Sequence, residues 1–151
     1  MSASPQKVAE RWASEAKFFR GLHSRNKGIF FRGAKNPGAG GGAGFGALGR
    51  GLYLAWDKGI AQFFADRAGG QVYAYKIPSS LKLLDAQSSE MATIKEGMGF
   101  KPWQYSDDPM YAAVVTAEVK DLGYDGVISD KAADGLVLFD PRKAKLVDLP
   151  E

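Results

Sequence analysis

Apolar residues first recur at helical spacing. Val8, Trp12, Ala16, Phe19 and Leu22 follow Pro5 at intervals of three and four. That pattern predicts an amphipathic helix opening at Pro5 and ending near His23, within an N-terminal helical segment 1–27. The period then shortens. Ile29 to Arg32 reads as a brief strand, and "GLYLAW" (51–56) as a second. Residues 57–68 return to helical spacing, with Asp57 as cap and Ile60, Ala61, Phe64 and Ala65 on one face. In "QVYAYKI", Tyr73, Tyr75 and Ile77 alternate with Val72, Ala74 and Lys76, and Pro78 ends the strand. "LKLLD" (81–85) is a further short strand, and 87–98 has weak helical character. Asp107 and Asp108 open a helix with Pro109 in its first turn and Gly123 at its end. "GYDGVISD", "GLVLFD" and "AKLVDL" complete the chain as three short strands. Strands predominate and helices enter singly, so the expected class is α+β. No repeat or domain-splitting linker is visible, and one domain over 1–151 is expected.

Composition narrows the chemistry. The 151 residues suffice for one well-packed core, and 45% apolar with 25% charged is ordinary for a globular domain. There is no cysteine, which excludes disulfides, thiolate metal sites and a cysteine nucleophile. The single histidine, His23, falls at a helix end, where a capping role is the common one, and it excludes a histidine-based metal site. No metal is expected. The start of the chain lacks an apolar h-region, so no classical signal peptide is expected, and a cytoplasmic location and a monomer are. No apolar run approaches membrane-spanning length, so no membrane insertion is expected. A net charge of +3 permits attraction to acidic partners without demanding it.

Eight of the nineteen glycines fall within "NPGAGGGAGFGALGRG", residues 36–51. Gly44 to Gly49 spell G-x-G-x-x-G, the pattern of a dinucleotide loop. That loop works when a strand enters it and a helix leaves it, so that the helix N-terminus meets the pyrophosphate. Here a strand follows, and no Gly-Lys-Ser/Thr is present, which removes a P-loop as well. The expectation is a mobile glycine-rich loop, 33–50, joining two strands. A second irregular stretch, "GMGFKPWQYSDDPMY", carries Trp103 and Tyr105, as either a substrate-facing connection or a packed Ω-type loop.

The flanks of the glycine loop matter more than the loop. "FFRGA", "GRGLYLAWDKGIAQFFADR", "GQVYAYKIPSSLKLLDA", "GYDGVISD" and "ADGLVLFDPRKAKLVD" occur in that order. This series resembles the ADP-ribosyltransferase family, in its small bacterial and phage-type form, over residues 28 to 149. The resemblance implies two packed, curved sheets flanked by helices, with NAD as substrate in the cleft between them. It implies transfer of ADP-ribose to a macromolecular acceptor, protein or nucleic acid, as a bacterial or phage effector or toxin would perform it. Arg32 matches the arginine that holds NAD's phosphates or ribose, a role suited to a rigid guanidinium fork. Gly33 matches a point of close backbone approach to nicotinamide. Tyr53 matches an aromatic that stacks near nicotinamide, and Phe63 falls where a second ring closes the other side. Phe64, on the apolar face of its helix, is expected in the core. Trp56 borders the site.

The catalytic acid departs from the family pattern. A glutamate belongs about four residues before the phenylalanine of F-D-P, and that position is Gly135. Asp134 is the nearest carboxylate and Asp130 the next. Asp134 acting from a shifted strand is the favoured assignment. Asp130 acting from the loop, or an inactive domain, are the alternatives. No E-x-E pair is present, so the arginine-modifying signature is missing. An inactive NAD-binding or protein-interaction module on the same fold is the second functional reading. A nucleic-acid-binding domain using Lys17, Arg20, Arg25, Lys27 and Arg50 is the third.

Loop-closure entropy changes slowly with length. Deleting Gly40 to Gly42 should therefore leave the thermal melt within a few degrees of wild type and NAD binding intact. Loss of NAD binding in that deletion would give the glycine loop a direct role in ligand contact.

Overall fold

A computed structural model describes residues 19–35, 44–46, 48–101, 103–104, 106, 108–129 and 135–150. Residues 19–25 are helical (α1). Then come β1 (Ile29–Ala34), β2 (Gly44–Gly46), β3 (Gly49–Leu54), α2 (Lys58–Ala68), β4 (Gln71–Lys76) and β5 (Leu83–Asp85). α3 (Ser89–Gly97), α4 (Pro109–Asp121), β6 (Gly126–Ile128), β7 (Leu136–Leu138), a 3-10 turn (Pro141–Lys143) and β8 (Lys145–Val147) follow. The expected α+β class holds.

The strands form two sheets. One has the order β1-β4-β8, the other β2-β3-β7-β6-β5. All pairings are antiparallel except β5 with β6. The sheets face each other across one core that joins Phe30, Tyr75 and Ile77 to Leu52, Leu54, Leu136 and Leu138, closed at one side by Phe19 and Leu22 of α1. A second core lies on the other face of the five-stranded sheet. There Leu84, Val127 and Val137 pack with Met91 of α3 and Tyr111, Val115 and Val119 of α4. Period-two alternation explains the division: Leu136 and Leu138 point one way, Val137 the other. Fully burying one such side chain contributes roughly 1.5–3 kcal/mol, against about 1 kcal/mol for a helix cap. The sheets, not the helix ends, therefore dominate stability.

Local signals explain the helix boundaries. Asp57 caps α2 by accepting from the Gly59 amide at 2.7 Å, and Gly69 ends it in left-handed backbone at φ 69°. Ser88 caps α3 through the Met91 amide at 3.3 Å, and Asp108 caps α4 through the Met110 amide at 2.7 Å, with Pro109 behind it. Expected residues ahead of 19, and Asp107, lie outside the described residues. His23 takes no cap role at a carbonyl of its own helix; its Nε2 lies 2.7 Å from the Ile77 carbonyl and pins α1 to the end of β4.

The glycine-rich stretch corrects the sequence expectation in part. β1 continues to Ala34, and Gly44–Gly46 pair with Gly49–Gly51 as a short hairpin instead of running as a loop from 33 to 50. On its other side Gly51 lets β3 and β7 close up: a Cβ there would lie 2.1 Å from the Leu138 carbonyl oxygen. Residues 36–43 and 47 lie outside the described residues.

Gly33 is glycine for a packing reason. A Cβ there would stand 1.8 Å from the Ala61 carbonyl oxygen and 2.4 Å from the Ala65 nitrogen, so α2 lies directly on β1. Gly97, in contrast, has nothing within 4 Å of its Cβ position. Gly33→Ala should lower stability by about 3 kcal/mol, the upper end of overpacking. In a chain this long that is roughly 6–12 °C of melting temperature. Gly97→Ala should be neutral or raise it by up to about 1 kcal/mol. Parallel thermal melts of the two variants check the contrast.

Candidate functional site

The inner face of the three-stranded sheet carries the polar side chains of interest. Gly33 faces α2, so Arg32 and Phe30 face the other sheet. Arg32 lies opposite Tyr73 in the β1–β4 register, and Phe30 opposite Tyr75. Arg32, Tyr73 and Tyr75 thus form one cluster. Burial pushes the Tyr75 phenol above its ordinary pKa; the Arg32 guanidinium pulls it back in part and Tyr73 adds to the rise. At neutral pH Tyr75 is therefore an uncharged phenol beside a fixed cation. Arg32 is partly exposed, and its Nη1 donates to the Tyr53 carbonyl at 3.5 Å, a long bond.

The two sheets touch at this point. The Phe31 amide and carbonyl pair with those of Ala55, each at 2.7 Å. Leu54, one residue earlier, bridges Gly135. Arg32 and Gly135 consequently flank Leu54 from opposite sides. Trp56 lies on the same inner side, partly buried against the inter-sheet core. Its carbonyl accepts from Asn26 Nδ2 at 2.8 Å, and the same amide donates to the Ile29 carbonyl at 3.2 Å.

Gly135 is the position at which the resemblance places a glutamate, and its surroundings are specific. A Cβ there would lie 2.0 Å from Cζ3 and 2.4 Å from Cη2 of Trp56. The indole occupies the space a side chain would take. Asp134 and Asp130 lie outside the described residues. The residues that border them are described: the Ser129 amide donates to the Gly135 carbonyl at 2.7 Å.

The structure brings Arg32, Trp56 and the backbone of Tyr53 together. It sends two other candidate rings elsewhere. The Tyr53 ring packs against the second core, on the α4 side of the sheet, and its hydroxyl donates to the Gly49 carbonyl. Phe63 is 55% exposed on α2, edge-on to Phe64, with the Arg67 guanidinium 5.5 Å from its centroid. α2 covers the face of β1 opposite Arg32. Gly33 likewise meets α2's own backbone. Tyr73 and Tyr75 are the residues the sequence reading did not single out. Their shared face was legible in the alternation, but their neighbourhood with Arg32 depends on strand register. Trp103 is exposed, while Phe100, three residues before it, packs edge-on to Tyr111 at 5.1 Å. Tyr105 lies outside the described residues. Among the described residues no group of three or more metal-ligating side chains is assembled, and no helix is long and apolar enough to cross a membrane.

Comparison with known proteins gave no match to a family model, a curated protein or a solved structure.

The Trp56–Gly135 contact makes a quantitative expectation. Gly135→Ala should destabilise the wild-type chain by displacing the indole and should cost less in a Trp56→Ala background. A coupling energy of about 1–3 kcal/mol between the two sites is expected from a double-mutant cycle by chemical denaturation. Additive effects would show that the indole does not fill the space above Gly135.

Proposed function

We propose that this chain is an NAD-dependent mono-ADP-ribosyltransferase domain that transfers ADP-ribose to a macromolecular acceptor. The observation that carries the reading is Arg32: a partly buried guanidinium on the inner face of β1, where the two sheets meet, beside the phenols of Tyr73 and Tyr75. A guanidinium there offers paired donors for the pyrophosphate or the vicinal hydroxyls of a ribose. The ordered run of sequence segments from "FFRGA" to "LFDPRKAKLVD" supports the same reading.

In this reaction the bond between nicotinamide and ribose breaks and nicotinamide leaves with its electron pair. The acceptor's nucleophile then bonds the ribose carbon and gives up its proton. What the protein supplies is orientation and charge placement around a developing cationic centre. Arg32 holds the anionic part of NAD. Tyr75, kept neutral by burial, adds no charge beside it. A carboxylate from Asp134, or from Asp130, completes the set by bonding the ribose 2'-hydroxyl.

A second reading is favoured by one specific observation. With the Trp56 indole over Gly135, no carboxylate fits at the position where the resemblance requires one. The alternative is an NAD-binding module without turnover.

Incubation with labelled NAD separates the two. Release of nicotinamide and label on a macromolecule in a cell lysate support the transferase; binding without release supports the module. Arg32→Ala should weaken NAD binding at least tenfold with the melting temperature nearly unchanged, since Arg32 belongs to neither apolar core. If the transferase reading holds, Asp134→Asn should slow NAD cleavage by roughly 10²–10³, as for loss of one charge-stabilising contact, and Asp130→Asn should be milder. The reverse order assigns the role to Asp130. An Arg32→Ala variant that binds NAD like wild type removes the basis of both readings.

A further inference from the structure

The outer face of the three-stranded sheet carries an uncompensated charge row. β4 and β8 are antiparallel with Lys76 directly opposite Lys145, and Ile29 of β1 lies opposite Lys76 on its other side. Directly opposite residues share a face, with Cβ atoms about 4.5–5.5 Å apart, and like charges so placed repel. Both lysines are exposed. The strand positions two residues along on this face are Phe31 on β1 and Val147 on β8, and neither is a carboxylate. Lys27 is exposed in left-handed backbone at φ 55°, immediately before Gly28, whose carbonyl accepts from the Ile77 amide at 3.0 Å. Lys143 is satisfied by Asp125 at 2.7 Å, and the other Asp125 oxygen takes the Lys82 amide at 2.8 Å. Asp125 is thus already engaged. α2 covers this face toward its other end, at Gly33.

We propose that Lys76 and Lys145 form a docking surface for the phosphate backbone of a nucleic-acid strand. Two ammonium groups held side by side by strand register are a standing repulsion that an anion relieves. A nucleic-acid strand carries one negative charge per nucleotide, a continuous line of phosphates that can engage both lysines. The net charge of +3 favours the encounter. Lys76 and Lys145 lie directly opposite each other with no aromatic between them, so the docking reads charge and not base sequence. It is independent of whether the chain binds NAD.

Fluorescence anisotropy of a labelled single-stranded oligodeoxynucleotide of about 20 residues, titrated with the full chain at several salt concentrations, tests this. Lys76→Gln with Lys145→Gln should weaken binding at least tenfold at low salt. It should also reduce the slope of log K against log salt by about 1.4, two contacts at about 0.7 each. Two unrelated sequences should behave alike. Lys76→Glu by itself should weaken binding and raise the melting temperature, because it turns a repulsive cross-strand pair into an attractive one. That rise separates lost docking from lost folding. Lys120→Gln, on exposed α4, should leave binding unchanged. A wild-type chain that does not bind the oligonucleotide overturns the proposal, as does Lys76→Glu binding with the wild-type salt slope. Inorganic phosphate binding as tightly as the oligonucleotide also overturns it, since the site would then serve the free ion.

Discussion

The five-stranded sheet is buried on both faces, and everything else in the fold is arranged to satisfy that constraint. β3 and β7 contribute Leu52, Leu54, Leu136 and Leu138 to the inter-sheet core, while Tyr53 and Val137 turn to the helices. One face needs the three-stranded sheet and the other needs α3 and α4. The cluster around Arg32 borders the inter-sheet core: Tyr75 is buried within it and Tyr73 packs against it. Site and core are therefore successive positions on the same strands.

Glycine performs three different tasks here. At Gly33 it lets a helix backbone rest on a strand, at Gly51 it lets strands β3 and β7 close up, and at Gly135 it makes room for an indole. The volume at that last position belongs to Trp56, and a side chain and the indole are mutually exclusive occupants of it.

Much of the architecture was legible because it is encoded locally. The caps at Asp57 and Asp108, Pro109 in the first turn of α4 and the period-two run of β4 each name an element without tertiary information. The hairpin at 44–51 was not legible, because its strand character comes from pairing with β3 and not from β-forming side chains; two of its three residues are glycine. The candidate site was half legible. Arg32 and Trp56 share the inner side through strand parity and the Phe31–Ala55 bridge, neither of which segment order specifies. Tyr53 has the right strand and the opposite face, since a parity of one residue decides which core a ring enters. Tyr73 and Tyr75 became neighbours of Arg32 only through the β1–β4 register.

Asn26 gives the helical start of the chain a mechanical meaning. Its one side-chain amide holds the carbonyls of Ile29 and Trp56 together, and His23, a turn earlier, grips the end of β4. The turn after α1 is thus a rivet through both sheets, placed at the residue whose indole covers Gly135. A displacement of α1 is therefore passed through Asn26 to Trp56, and by its indole to the space above Gly135.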